Sequence, residues 1–261
     1  MTLSLFVIQM LNGLQLGVLL FMMSAGLTLV FGIMNFVNLA HGSLYMMGAY
    51  FAAFAYGKSE SFLLAGVVAL LGSAALGMVV ERVVATRLYT RDHLDQVLAT
   101  FGLILFFNEL VRVVWGPSPV YMNVPELLSG AISLGGIMYP AYRFVIIVVG
   151  LLVALGCYLL ISKTRVGMLI RAGSSNPTIV AALGVNIKLL NALVFALGAL
   201  LAGVAGLMSG PILSVQPGMG EPILILAMIV IVIGGIGSVR GAFYSALIVG
   251  VIDTVGRAYL P

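Results

Sequence analysis

Long apolar runs, separated by short polar connections, fill almost the whole chain. An α-helix needs about 20 apolar residues to cross the hydrocarbon core of a bilayer. The pattern predicts eight such helices, near residues 4–33, 36–56, 62–87, 94–115, 141–162, 189–209, 222–236 and 241–258. The sequence therefore predicts an all-α, polytopic membrane protein whose eight helices form a single domain over residues 1–261.

The connection at 116–140 differs from the others because it is rich in proline. It contains Pro117, Pro119, Pro125 and Pro140. Proline lacks a backbone N–H and breaks helices, so this stretch is a poor helix. We expect an extracytoplasmic loop that contains short strands.

Basic residues set the expected orientation. One connection carries Arg82, Arg87 and Arg91, and another, two helices later, carries Lys163, Arg165, Arg171 and Lys188. Lys and Arg concentrate in cytoplasmic connections, so both are predicted to face the cytoplasm. Counting along the helices then places the N-terminus, Arg257 and Pro261 outside.

Composition excludes several classes of protein. The chain is 62% hydrophobic and 8% charged, whereas soluble domains carry roughly a quarter charged residues. Its formal charge of +4 comes from residues at helix ends, so nucleic-acid binding is not expected. The two histidines, His41 and His93, have no acidic or thiol residue spaced to complete a metal site or a catalytic group. We expect no enzyme activity, metal or cofactor.

Residues 35–50, NFVNLAHGSLYMMGAY, place polar side chains inside an apolar run. On a continuous helix, one face would carry Asn35, Asn38, His41, Gly42, Tyr45 and Gly48. Polar groups in hydrocarbon are costly, so this face is expected to line a substrate pathway. The alternative is that the asparagines and His41 hydrogen-bond across helices, or cap a helix break at Gly42.

The second basic connection contains a short helix of its own. Asn176 suits an N-cap, Pro177 the first helical position and Gly184 the residue beyond the end, which predicts about two turns. Exposed apolar residues on one side are predicted at Ile179, Val180 and Leu183. Such a helix lies on the bilayer surface or docks in a groove of a soluble partner.

Three stretches carry a family resemblance: GLTLVFGIMNFVNLAHGSLYMMGAY, RAGSSNPTIVAALGVN and IVIGGIGSVRGAFYSALIVGVID. In order and spacing they resemble the permease subunits of branched-chain amino-acid ABC importers, and the similarity covers essentially the whole chain. The resemblance implies a multi-pass permease of the bacterial inner membrane that imports branched-chain or related amino acids. It also implies a second related permease, two cytoplasmic ATPase subunits that hydrolyse ATP, and an extracytoplasmic solute-binding protein.

The resemblance also assigns a role to the short cytoplasmic helix. In that family the corresponding connection carries the coupling helix that sits in the ATPase cleft, and its pattern maps onto residues 176–186. The implied coupling residues are Asn176, Pro177, Ile179, Val180, Ala181, Ala182, Leu183 and Gly184. The acidic residue that usually precedes the alanines is missing here. Relatives usually continue through one more helix, so this chain is expected to lack a final C-terminal helix.

A different class of transporter remains as an alternative. In a secondary transporter or channel for small polar solutes, broken helices at 35–42 and 234–241 would form the binding site, and an ion gradient would drive transport. Acidic residues within the central helices would favour this alternative, and these helices lack them. The residues also do not distinguish branched-chain amino acids from other amino acids, amides or urea.

Overall fold

The computed structural model describes residues 3–259, most of which are helical. Within this range eight long helices are present: α1 Leu3–Met34, α2 His41–Ser59, α3 Phe62–Val80, α5 His93–Trp115, α6 Ala141–Lys163, α9 Ile187–Ser209, α10 Gly220–Gly234 and α11 Val239–Tyr259. The shorter helical segments are a π turn at Glu81–Ala85, α4 Thr86–Leu88, a 3₁₀ turn at Glu126–Leu128, α7 Arg165–Ser175 and α8 Pro177–Ala182. The predicted all-α architecture is confirmed.

Six of the described helices are long and apolar enough to cross a membrane. They are α1, α3 with its continuation to Leu88, α5, α6, α9 and α11. The two other long helices differ: α10 is apolar but has only 15 residues, and α2 is not among the six. These two helices are also the ones that begin inside the bundle, as described below.

Close glycine contacts hold the centre of the bundle together. α1 runs antiparallel to α11, so that Gly13 lies against Val251 at one end and Gly32 lies against Gly237, in the turn just before α11, at the other. α1 also touches α9 where Gly26 meets Gly198. Glycines allow membrane helices to approach until their backbones touch, which increases the van der Waals contact that drives their association.

The helix contacts also identify the cytoplasmic end of the bundle. Gly173 of α7 packs near Leu190 and Ile33, which places the second basic connection beside the C-terminal end of α1. That end carries eight of the chain's 12 Lys and Arg residues, namely Arg82, Arg87, Arg91, Lys163, Arg165, Arg171, Lys188 and Arg240. It therefore faces the cytoplasm. Arg257, near the end of α11, lies at the opposite end of the bundle from these eight residues, and Pro261 lies outside the described residues.

The proline-rich connection forms a β-hairpin at the outer end. Strands β1 Ala131–Leu134 and β2 Ile137–Pro140 pair antiparallel, with Leu134 opposite Ile137. The two turn residues, Gly135 and Gly136, have φ of +59° and +87°, as two-residue hairpin turns require. This confirms the expected short strands.

The start of α2 is the main departure from the sequence prediction. A helix was predicted from residue 36, but residues 35–40 are not helical and α2 begins at His41. Asn35 ends α1 in the left-handed region, with φ of +47°, which asparagine tolerates better than most residues. The predicted continuous helical face was therefore wrong, because Asn35 and Asn38 do not lie on α2.

Residues 35–40 lead the chain from the cytoplasmic end of α1 back into the bundle. His41 contacts the carbonyl of Met23, which lies 11 residues before the end of α1, or about 16 Å along its axis. A second return occurs from the opposite side. The non-helical residues 210–219 lead from the outer end of α9 inward, and α10 begins at Gly220 beside Gly42.

The secondary-transporter alternative expected a broken helix at 234–241 that forms a binding site. This expectation was wrong, because the structure has a turn between two separate helices there. Residues 235–238 form the turn between α10 and α11 at the cytoplasmic end. Gly235 and Gly237 have φ of +88° and +82° there, a conformation that glycine adopts without steric cost. The second inward return of the chain is the connection at 210–219, between α9 and α10.

Candidate functional site

The N-terminal ends of α2 and α10 meet inside the bundle at a glycine pair. A Cβ atom on Gly42 would lie 2.6 Å from the carbonyl oxygen of Gly220, and a Cβ atom on Gly220 would overlap the carbonyl oxygen of Gly42. The two backbones are therefore in direct contact. We call this contact, together with the non-helical segments 35–40 and 210–219, the central junction.

His41 is the first residue of α2 and is completely buried. Its Nε2 lies 3.1 Å from the carbonyl oxygen of Met23 in α1. A carbonyl can only accept, so Nε2 carries the proton in this contact. The geometry is the cross-helix hydrogen bond of the alternative interpretation. His41 lines none of the cavities described here.

Tyr45 joins α2 to α9. Its hydroxyl lies 2.6 Å from Ser209 Oγ, and the Ser209 hydroxyl contacts the carbonyls of Ala205 and Gly206 at 2.9 and 3.1 Å. Because those carbonyls take the serine proton, the tyrosine O–H donates to Ser209. The main chain of Tyr45 also packs directly on Gly206. Tyr45, like His41, lies in a helix–helix contact.

Asn38 is the predicted pathway residue that lines an open cavity. Its side chain is 2% exposed, and neither its Oδ1 nor its Nδ2 has a hydrogen-bond partner among the described residues. It borders a cavity of about 100 Å³ between α1 and α10, whose other walls include Leu27, Phe31, Leu39, Met228 and Ile231. Asn35 is exposed at the cytoplasmic end. Gly42 borders only a gap of about 10 Å³.

Two amides on α5, which the sequence analysis missed, hold the two non-helical segments. Gln96 accepts the backbone N–H of Val37 at 3.1 Å and donates to the carbonyls of Leu88 and Arg91, both at 3.2 Å. Asn108 accepts the backbone N–H of Gly218 at 3.1 Å. The N–H groups of Val37 and Gly218 lie in non-helical segments, so no helical carbonyl accepts them. In each case the side-chain amide is the acceptor instead. Their only signal in the sequence is their polarity within an apolar helix.

Asn108 is also tied to the start of α10. Its Nδ2 donates to Glu221 Oε1 at 2.8 Å. Gln96 and Asn108 are 12 residues apart, about 18 Å along the helix. One helix therefore fixes the inward return from the cytoplasmic side and the inward return from the outer side.

A buried carboxylate lies near the cytoplasmic end of α3. Glu81 is 2% exposed, and its Oε1 accepts from the Tyr89 hydroxyl at 2.9 Å. The Thr86 hydroxyl donates to the backbone carbonyl of Glu81 at 2.8 Å and lies 3.2 Å from Oε1. Burial, together with the nearby negative charge of Glu81, raises the pKa of Tyr89, so its phenol stays protonated. Tyr89 also packs edge-on against Phe36, at 5.6 Å between ring centroids. The first cytoplasmic connection thus contacts the segment 35–40.

The short cytoplasmic helix is α8, and its predicted ends are confirmed. Asn176 Oδ1 accepts the N–H of Ile179 at 3.0 Å, Pro177 is the first helical residue, and Gly184 has φ of +87°. Ile179 and Leu183 are 58% and 78% exposed. Val180 is 6% exposed, so its predicted exposure was wrong: it packs inward and anchors the helix. Ala181 and Ala182 are exposed.

No cluster of three or more metal-ligating side chains is present between residues 3 and 259.

Comparison with known proteins identifies the family. Residues 9–261 match the family described as branched-chain amino acid transport system / permease component. The chain is 31% identical to the high-affinity branched-chain amino acid transport system permease protein BraD of Pseudomonas aeruginosa, over 95% of this chain and 85% of BraD. It is 32% identical to the corresponding protein LivH of Salmonella typhimurium, over 98% of this chain and 87% of LivH.

A sugar permease is also similar. The ribose import permease protein RbsC of Escherichia coli is 28% identical, over 88% of this chain and 72% of RbsC. The family match and the two amino acid permeases each cover most of the chain. The chain therefore belongs to the family of permease components of branched-chain amino acid transport systems.

Proposed function

We propose that this chain is the membrane-spanning subunit of an ATP-driven importer that carries a branched-chain amino acid, or a related amino acid, into the cytoplasm. Members of its family are transport permeases of the inner membrane, and an importer of this kind works with ATPase and solute-binding partners. The finer assembly that we propose is two permeases, two ATPase subunits and one binding protein.

The observation that supports an ATP-driven mechanism is the exposed apolar surface at α8. This helix is capped at both ends and held by Val180, yet Ile179 and Leu183, the residue that follows the helix, are exposed at the cytoplasmic side. Full burial of one such side chain contributes about 1.5–3 kcal/mol. A groove on a soluble ATPase supplies that burial, and this is helix-in-groove recognition.

Helix α8 is connected to the central junction through α9. Four residues after α8 ends, Asn186 caps α9 by accepting the N–H of Leu189 at 3.0 Å. α9 in turn packs against α2, with Gly203 against Gly48 and Gly206 against Tyr45. When ATP binding draws the ATPases together, α8 and α9 move with them, and α9 displaces α2.

In this proposal the substrate passes the central junction. Asn35 and Asn38 contact the solute, whereas His41, Gly42 and Tyr45 hold the start of α2 in place. The amide of Asn38 is buried and has no partner among the described residues; when the junction opens, its donor and acceptor match the carboxylate and ammonium groups of an amino acid. The apolar walls around it suit a branched aliphatic side chain.

The test is leucine uptake by proteoliposomes that contain the chain assembled with its partner subunits, with binding protein and ATP supplied. Leu183→Glu should abolish uptake and lower the amount of ATPase that co-purifies, because a buried charge in the groove is costly. Thr178→Glu is the matched control. It adds the same charge to α8 at an exposed polar position, so uptake should remain near the unmodified rate.

A secondary transporter would give the opposite result. Uptake would follow an ion gradient, proceed without ATPase subunits, and survive Leu183→Glu. The solute is checked in the same vesicles by competition. Isoleucine and valine should compete with leucine; ATP-driven uptake of ribose or urea with no amino acid transport would overturn the substrate class while leaving the importer mechanism in place.

A further inference from the structure

A large groove opens between α1, α6 and α11 in the cytoplasmic half of the bundle, away from the central junction. Its volume is about 620 Å³. The deep walls are apolar and include Phe21, Leu151, Leu155 and Phe243. Leu151 and Leu155 are 44% and 53% exposed, so no other helix among the described residues covers them.

The cytoplasmic mouth of the groove is basic. Arg171 at the C-terminal part of α7 and Arg240 at the start of α11 both line it. Neither forms an ion pair within residues 3–259, and no Asp or Glu is among the lining residues. The Arg240 guanidinium lies 5.2 Å from the ring centroid of Tyr158, a cation–π contact that holds it at the mouth.

Hydroxyl groups lie below and beside these arginines. Ser162, Ser174 and Ser238 line the groove near its mouth. Thr28 lies deeper, is completely buried, and its Oγ1 has no hydrogen-bond partner among the described residues. An unpaired buried hydroxyl is unfavourable, and a bound ligand with an oxygen acceptor at that depth would satisfy it.

The length of the groove matches one leaflet of a bilayer. Its wall on α1 extends from Ile33 to Phe21, 12 residues or about 18 Å along the helix. Half of the hydrocarbon core is about 15 Å thick. A transmembrane helix of a partner would need a groove over both leaflets, and a free phosphate ion would not need the apolar walls.

We propose that this groove binds an anionic phospholipid of the cytoplasmic leaflet. The phosphate lies between Arg171 and Arg240, an ester carbonyl accepts from Thr28, and an acyl chain runs along Leu155 and Leu151 toward Phe21. Basic pockets at the cytoplasmic ends of membrane helices suit such headgroups. The bound lipid joins α1, α6, α7 and α11.

The test measures binding of phosphatidylglycerol to the purified, delipidated protein by native mass spectrometry and by titration in detergent. A basic residue near an anionic lipid contributes about 1 kcal/mol, which corresponds to about a fivefold change in affinity. Arg171→Gln with Arg240→Gln should therefore weaken binding about 30-fold. Lys163→Gln with Arg165→Gln removes the same charge from the same end of the bundle at positions that do not line the groove, and should leave binding near the unmodified value.

A second variant separates a lipid from a phosphate ion. Leu155→Trp narrows the apolar part of the groove without changing its charge. Because the acyl chain then loses contact with the groove wall, phosphatidylglycerol should bind at least about fivefold more weakly. Equal losses in the two double-charge variants would show that only surface charge matters and would overturn the proposal. It would also be overturned by unchanged binding in Leu155→Trp, or by inorganic phosphate displacing the lipid at millimolar concentration.

Discussion

Asn38 and His41 look equivalent in the sequence, but the structure gives them different surroundings. His41 contacts the Met23 carbonyl in α1, and only its Nδ1 has no partner among the described residues. Asn38 has no partner for either amide atom and borders a cavity. An unpaired buried polar group costs about 1–3 kcal/mol. A residue that destabilises the protein in this way is the stronger candidate for a functional contact.

We predict that Asn38→Leu separates stability from transport. Because the unpaired amide is lost, the melting temperature of the protein in detergent should be unchanged or higher. Uptake of leucine by the assembled complex should fall at least about tenfold, since a hydrogen bond to a charged group contributes about 1.5–3 kcal/mol. A variant with a lower melting temperature and normal uptake would show that Asn38 is purely structural.

His41→Leu provides the contrasting case. It removes the hydrogen bond to Met23, which should cost about 1 kcal/mol of stability, so melting temperature and uptake should decrease together.

The surroundings of His41 and Asn38 could not be predicted from the sequence. They depend on Met23, which is 18 residues away from His41, and on a cavity formed in part by α10.

The helices themselves were largely predictable, because long apolar runs of this kind leave few alternatives. Helix α10, predicted at 222–236, is found at Gly220–Gly234. The start of α2 was not predictable, since Val37 is held by Gln96, 59 residues along the chain. The second inward return is likewise fixed at a distance, by Asn108 and by the pairing of Val215 with Val120. Local sequence does not contain these contacts.

The glycine contact between α2 and α10 gives a prediction for these elements. Gly42→Ala places a Cβ atom 2.6 Å from the Gly220 carbonyl oxygen, so the two helix starts must move apart, at a cost of about 1–3 kcal/mol. The melting temperature and leucine uptake should both decrease. Gly57→Ala is the control, because it lies in the same helix with no atom within 4 Å of the new Cβ.

In an exposed helical position alanine is favoured over glycine by about 0.5–1 kcal/mol. Gly57→Ala should therefore keep uptake and leave the melting temperature unchanged or higher. If Gly42→Ala behaves in the same way as this control, the direct backbone contact between α2 and α10 does not exist in the working protein.

At the scale of the whole molecule, function depends on which end of the bundle faces the cytoplasm. Only then can α8 reach an ATPase, and only then can Arg171 and Arg240 meet the cytoplasmic leaflet. The orientation rests on the eight basic residues at one end and on the antiparallel contacts of α1 with α11. The orientation stays a prediction, because it rests on the same basic clusters that predict it from the sequence.

Cysteine labelling tests this orientation, because Cys157 is the chain's single cysteine and is buried. In a Cys157→Ala background, Leu127→Cys introduces a thiol at a position 96% exposed in the outer loop. Ser175→Cys introduces one at an exposed position just before α8. A membrane-impermeant maleimide should label the first variant in intact spheroplasts and the second only after permeabilisation. The reverse result would place α8 beyond the reach of a cytoplasmic ATPase, so the coupling role of Leu183 and the lipid leaflet assigned to the groove would both be wrong.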